Sequence, residues 1–280
     1  MVRRVVLFSV CGLVLTVLFA ISASQGRAAD RDKVQAFLSV TGFDVALESI
    51  RLSAEGAPDM LGMQADDFGT RWAGMAAQVF DTDLMKTMAL DMLEETLSDD
   101  LLNHAAGFYA SDLGQRLVAI ENASHKVADA EAKQAEGRML LDSYGVGPGS
   151  RLEILQQLTE AVDASGQGVR AIEDLQIRFI MAASAAGVLD YEVDEAALRA
   201  ALREGEDALR KGLRESSLYG AAYTYQSFSD AELRAYRDAL RDPRMQRVYE
   251  LMNAIQHEVT ANRFEVLAHR LAEVTGGEDL

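Results

Sequence analysis

Residues 97–127, LSDDLLNHAAGFYASDLGQRLVAIENASHKV, decide the fold, because the pattern returns in residues 228–258, FSDAELRAYRDALRDPRMQRVYELMNAIQHE. The matched pairs at one fixed offset are Ser98 with Ser229, Asp99 with Asp230, Leu102 with Leu233, Gln115-Arg116 with Gln246-Arg247 and Asn122-Ala123 with Asn253-Ala254. A weaker upstream match, at a shorter offset, aligns Thr41 with Thr159. The sequence therefore predicts two related halves.

Both copies have helical periodicity. From Leu113 onward, apolar or small residues recur at alternating spacings of four and three, which predicts one long helix reaching about Leu141. The 280 residues include only three prolines, and no segment shows the alternating β-branched pattern of a strand. We therefore predict an all-α protein, built as two tandem related helical-bundle halves behind an N-terminal signal or anchor helix.

The boundary between the halves is predicted at Tyr144–Gly149, YGVGPG, the clearest break in the pattern. These glycines could cradle a phosphate, but a P-loop lysine is missing and no strand pattern precedes them, which favours a linker. Predicted domains are residues 30–145 and 150–280. Helices are predicted to begin at Ser, Thr or Asp residues. Two of these starts are predicted capping boxes, formed by Ser150 with Glu153 and by Ser229 with Glu232.

The first 29 residues resemble a leader for export. Two arginines, Arg3 and Arg4, precede the apolar run Val5–Ala23, and small residues follow at Ser22-Ala23-Ser24. A cleaved signal peptide and an uncleaved membrane anchor both fit this pattern, because the run is close to the roughly 20 residues that a membrane span needs. We expect a periplasmic protein, with membrane contact only through this segment if it stays uncleaved.

Composition excludes several kinds of chemistry. The net charge of −17 leaves no basic surface for nucleic acid. Cys11, the only cysteine, lies in the predicted leader, so disulfides and cysteine nucleophiles are not expected. Met85, Met88 and Met92 could suggest copper binding, but methionine also suits a core, and we favour the core. The histidines, which lack metal-site spacing, are His104, His125, His257 and His269.

One segment resembles a known family. The run Phe108-Tyr109-Ala110-Ser111-Asp112-Leu113-Gly114-Gln115-Arg116 is similar to the signature of an exported bacterial domain of unknown function, DUF2059. The resemblance covers about 81–127; in the second copy, Met245 replaces the glycine and Ala239-Leu240 replace the aromatic pair. The signature residues are Phe108, Tyr109, Ser111, Gly114, Gln115 and Arg116, and their expected role is structural, with Gly114 allowing a close backbone approach. The family has no assigned reaction.

The function expected from these features is an uncharacterised exported helical protein that binds another envelope protein or an apolar ligand between its halves. We nominate no catalytic, cofactor-binding or metal-binding residue and expect no cofactor. Two alternatives remain: a hydrolase or lyase that works by carboxylates, and a membrane-tethered scaffold. The first alternative predicts a pocket containing an acid with a strongly perturbed pKa.

Overall fold

The computed structural model describes residues 30–53, 57–64, 71–164 and 166–275, and this part of the chain is all-α, with no strand. The all-α prediction is confirmed. The helices are α1 (Arg31–Thr41), α2 (Phe43–Ser53), α3 (Ala57–Met60), α4 (Arg71–Val79), α5 (Thr82–Thr96), α6 (Asp99–Tyr109), α7 (Asp112–His125), α8 (Ala130–Ser143), α9 (Arg151–Val162), α10 (Gly168–Ala185), α11 (Glu195–Thr224), α12 (Asp230–Leu240) and α13 (Pro243–Thr275). The predicted leader lies outside the described residues. Among the helices described, none combines the length and apolar composition of a membrane span.

Side chains at the predicted starts cap these helices. Ser98, Ser111 and Ser229 each accept a hydrogen bond from a backbone N–H in the first turn. Ser229 and Glu232 form the complete capping box that the sequence predicts. The box predicted at Ser150 is only half formed, because the Glu153 carboxylate accepts from the Gly149 N–H instead of the Ser150 N–H.

The prediction of one long helix from Leu113 to Leu141 is wrong, because the structure divides this segment into α7 and α8. Helix α7 ends at His125, and α8 begins after Asp129, whose carboxylate accepts from the Ala132 N–H at 2.8 Å. Lys133 then donates to the Ser124 carbonyl at 3.0 Å, which satisfies a C-terminal carbonyl of α7. The periodicity continued across the break, but the cap at Asp129 competes with a continuous helix.

The two matched segments form matched helices. Helices α6 and α12 are both 11 residues long, and they begin and end at aligned positions. Their aligned residues Leu102 and Leu233 are 5% and 0% exposed. The repeat therefore encodes the same local structure twice, whereas the division into tandem halves stays a prediction.

One hydrophobic cluster contains side chains from both predicted halves. Helix α13 packs against α10 from the second half and against α4, α5 and α6 from the first. Trp72 and Met85 belong to this cluster, with exposures of 8% and 0%, and Met88 and Met92 pack against it. The segments that line the pocket described next are thus held by a shared core.

Candidate functional site

A pocket of about 410 Å³ lies where both predicted halves meet. Its walls come from the α1–α2 junction, α7 and α8 on one side and from α9, α11, α12 and α13 on the other. Several pairs of aligned positions line it, namely Thr41 with Thr159, Glu121 with Met252, Asn122 with Asn253 and His125 with Gln256. Both matched segments therefore contribute to one pocket, whose volume is in the range of small-molecule sites.

Two acids line this pocket, Glu121 on α7 and Asp163 after α9, and the Asp163 carboxylate accepts from the backbone N–H groups of Gln167 and Gly168. Glu121 is bound by side chains instead. Its Oε1 accepts hydrogen bonds from the Tyr225 hydroxyl at 2.7 Å and from the Tyr236 hydroxyl at 3.0 Å. Burial raises the pKa of Glu121, and the two tyrosine hydrogen bonds oppose that rise. A carboxyl group in this setting is a candidate ligand contact or proton donor.

The tyrosine hydroxyls continue as a chain away from Glu121. The Tyr249 hydroxyl lies 3.2 Å from that of Tyr236, and the Tyr109 hydroxyl lies 2.5 Å from that of Tyr249. Burial raises the pKa of Tyr249 to about 12 and raises the pKa of Tyr109 and Tyr236 well above the usual range. All three hydroxyls therefore stay protonated at neutral pH. With Tyr236 donating to Glu121, each hydroxyl in the chain can donate toward the acid.

We expect Glu121→Gln to change the pH dependence of stability. Because burial raises the pKa of Glu121, the folded state keeps the proton to a higher pH than the unfolded chain. The resulting loss of folding stability is absent below the ordinary glutamate pKa and grows as the pH rises through the pKa of Glu121 in the folded protein. The variant, which keeps an acceptor for both tyrosines, should melt at a higher temperature than the wild type at pH 8, with the difference closing near about pH 4.

Thermal unfolding followed by circular dichroism at several pH values measures this difference. Glu136→Gln is the control, because Glu136 is an exposed acid on α8 outside the pocket. It should give a small difference that does not follow this pH pattern. Equal melting temperatures for Glu121→Gln and the wild type at every pH would contradict the prediction.

Two basic side chains, His125 and Lys133, also line the pocket. Burial lowers the pKa of both, and Lys133 lowers that of His125 further. The Lys133 ammonium is held by the Ser124 carbonyl and lies 6.0 Å from the centre of the Tyr223 ring. A buried hydrogen bond of 2.8 Å joins the Ser124 and Thr224 hydroxyls and fixes α7 against α11 beside these groups.

The aromatic signature residues connect the α6–α7 corner with the tyrosine chain. Phe108 stacks on the Tyr236 ring, with centroids 5.8 Å apart and an interplanar angle of 8°. Tyr109, 3% exposed, supplies the last hydroxyl of the chain. Two aromatic signature residues, Phe108 and Tyr109, thus contact the tyrosines around Glu121, whereas their expected role was structural.

The remaining signature residues shape the corner itself. Ser111 accepts from the Gly114 N–H at 3.1 Å, and the Gln115 amide donates to the Ala110 carbonyl at 3.1 Å. A Cβ on Gly114 would lie 2.6 Å from the Tyr109 Cα, so only glycine allows this approach of α7 to α6. Arg116 pairs with Glu232 of α12 at 2.6 Å, which joins the two copies.

Arg247, the aligned partner of Arg116, behaves differently. Among the described residues, Arg247 pairs with Glu250 at 3.0 Å within α13, and not with an acid of another helix. The difference arises because Glu232 has Leu101 at the aligned position in the first copy, which leaves no equivalent acid.

Family comparison identifies the segment that contains this corner. Residues 83–142 match a family described as an uncharacterized protein conserved in bacteria (DUF2059). The match covers residues 83–142 alone, which we call the DUF2059 segment. It runs from α5 through α8 and includes every signature residue, Glu121 and Lys133. No curated protein and no solved structure is significantly similar to the chain.

We expect Gly114→Ala, within the DUF2059 segment, to destabilise the protein by about 1–3 kcal/mol, as forced overpacking does. The added methyl would collide with the backbone of Phe108 and Tyr109, which cannot move without opening the corner. Urea unfolding monitored by circular dichroism gives the free energy change. Gly107→Ala on α6 is the matched control, since its Cβ meets nothing within 4 Å, and it should be neutral or stabilising by up to about 1 kcal/mol. Equal effects of the two substitutions would contradict this account.

Sequence reasoning missed Glu121 and the three tyrosines outside the DUF2059 segment, namely Tyr225, Tyr236 and Tyr249. A signal for Glu121 was present, because it lies four residues after buried Leu117 and three before buried Ser124, on the inward face of α7. The tyrosines come from α12, α13 and the residue after α11, so only the tertiary structure brings them to Glu121. In the described part of the chain, no group of three or more His, Cys, Asp or Glu side chains could hold a metal.

Proposed function

We propose that this protein is a non-catalytic binding protein of the bacterial cell envelope, and that its pocket holds a small, mainly apolar ligand. The pocket between α7 and α13, with Glu121 at one wall, is the observation that carries this proposal. Leu158, Val162, Ala221 and Met252 supply apolar lining, and a few polar groups can orient a ligand. Such a combination is typical of small-molecule sites.

Export to the periplasm is the second element of the proposal. The basic start and the apolar run Val5–Ala23 support it. N-terminal sequencing of the protein isolated from the envelope separates the forms. A start between about 24 and 30 supports cleavage and a free periplasmic protein, whereas an intact Met1 supports the membrane-tethered scaffold.

The pocket can be tested by filling it. Gly220 on α11 lines the pocket, and a Cβ there meets nothing within 4 Å, so Gly220→Phe adds a ring without a backbone clash. The probe is N-phenyl-1-naphthylamine, an uncharged apolar molecule whose fluorescence rises on leaving water. We expect saturable binding to the wild type and at least a tenfold loss in Gly220→Phe.

Gly212→Phe is the matched control, since Gly212 lies on the same helix, also meets nothing within 4 Å and does not line the pocket. It should bind the probe like the wild type. Equal binding by all three proteins, or no saturable binding by the wild type, would contradict a ligand site at this place.

A carboxylate-dependent hydrolase or lyase is the second candidate, and the raised pKa of Glu121 favours it. An acid with a raised pKa keeps its proton to a higher pH than an ordinary glutamate and can donate it to a leaving group. The test uses p-nitrophenyl acetate and p-nitrophenyl glycosides. Turnover by the wild type that Glu121→Gln abolishes, with folding unchanged, would favour catalysis. No turnover, or turnover that survives the substitution, supports the binding function.

A further inference from the structure

Glu121 lacks a cationic partner. Within the described part of the chain, its recorded contacts are the two hydroxyls that donate to Oε1, and no hydrogen bond or ion pair reaches Oε2. Burial raises the pKa of Glu121, and the two tyrosine hydrogen bonds oppose that rise. When Glu121 is ionised, hydrogen bonds from neutral hydroxyls therefore stabilise its charge.

Two other half-buried acids differ from Glu121. Glu258 and Glu265 share Arg178, at 2.8 and 2.7 Å, so both of these carboxylates have a cationic partner. Glu121 is only partly withdrawn from water, and a ligand cation at its unpaired oxygen would form a charge-assisted hydrogen bond there. The unpaired oxygen thus marks the place for a positive group.

The surroundings of Glu121 also suit a cation. Tyr225, Tyr236 and Tyr249 line the same pocket, and the faces of tyrosine rings attract organic cations. Lys133 donates to the Ser124 carbonyl, and within the described residues neither it nor His125 forms a hydrogen bond or ion pair with Glu121. The overall charge of −17 would draw a cation toward the protein from solution.

We propose that the pocket binds a small organic ammonium ion, whose N–H groups bond to Glu121 Oε2 and whose apolar body packs on Leu158, Val162 and Met252. This inference rests on the proposed binding function and names its ligand class. An ammonium group provides three donors, which fits one free carboxylate oxygen and the adjacent tyrosine hydroxyls. A carboxylate ligand would instead bring a second negative charge beside Glu121.

The experiment compares three molecules with the same six-carbon body: hexylammonium, hexan-1-ol and hexanoate. Binding to the full mature chain is followed at pH 7.5 by shifts of backbone amide NMR signals. We expect hexylammonium to bind at least tenfold more tightly than hexan-1-ol, which corresponds to about 1.4 kcal/mol. Hexanoate should bind more weakly than the alcohol.

Glu121→Gln should reduce the affinity for hexylammonium to that for hexan-1-ol and leave the affinity for hexan-1-ol unchanged. Glu136→Gln removes the same charge from the surface and should change neither affinity. Equal affinity of the cation and the alcohol for the wild type would overturn the inference, as would full hexylammonium affinity in Glu121→Gln. If N-phenyl-1-naphthylamine binds the wild type and Gly220→Phe weakens that binding, only the proposed ligand class is wrong. If that probe does not enter the pocket, the proposed function fails as well.

Discussion

Replacing Phe264 with alanine is expected to lower the free energy of unfolding by about 3–5 kcal/mol, as truncation of a buried phenylalanine typically does. Phe264, on α13, is 1% exposed. Its ring makes edge-to-face contacts with Phe80 and Phe179, each with centroids 5.3 Å apart. Phe80 follows α4 and Phe179 lies on α10, so the Phe264 ring contacts one aromatic ring from each predicted half. Alanine would leave a cavity that these two rings can fill only by moving.

Urea unfolding measures this loss, provided that the slope of the transition is unchanged. Phe264→Leu retains much of the volume and should cost less than Phe264→Ala. Tyr191→Ala is the surface control, because Tyr191 is 65% exposed, and its effect should stay within about 0.5 kcal/mol. A loss below about 1 kcal/mol for Phe264→Ala would show that this aromatic cluster is not central to stability.

Gly137→Ala is expected to destabilise the protein by about 1–3 kcal/mol, the usual cost of overpacking, and to loosen α8 from α11. The Cβ would lie 2.7 Å from the Tyr219 carbonyl carbon, so the obstacle is the backbone of α11 and not a flexible side chain. Because both helices also line the pocket, the same substitution should weaken N-phenyl-1-naphthylamine binding.

Gly212→Ala provides the comparison for Gly137→Ala, because Gly212 lies within α11 and its Cβ meets nothing. In that position alanine has the higher helix propensity and should stabilise by up to about 1 kcal/mol. Differential scanning calorimetry would rank the variants. Similar melting temperatures for both variants would mean that the approach at Gly137 is less close than the structure indicates.

The sequence predicted the helices well wherever a side chain decides where a helix begins. Ser98, Ser111 and Ser229 are polar residues directly before apolar periodic runs, and each is a cap. The break between α7 and α8 was missed because the apolar spacing continued through Val127 while Asp129 began a new helix. Periodicity reports which face of a helix is apolar, but it does not report a change of direction.

The candidate site was less predictable. Trp72 lies in the core, and Met252 is the only methionine among the described residues that line the pocket. Glu121 was one of 44 acids, and its importance depends on hydroxyls that come from more than a hundred residues away along the chain. Such a convergence leaves no spacing motif in a single sequence.

The pocket's chemical asymmetry follows from how its walls are related. Glu121 on one wall aligns with Met252 on the other, so the charge belongs to one copy alone. Had both copies kept the acid, two carboxylates would share one poorly solvated space and one of them would be forced to hold a proton. Had both kept methionine, the tyrosine hydroxyls would lack their acceptor. The aligned positions therefore differ in kind, an acid against a thioether, and the hydroxyls of Tyr225 and Tyr236 converge on a single carboxylate.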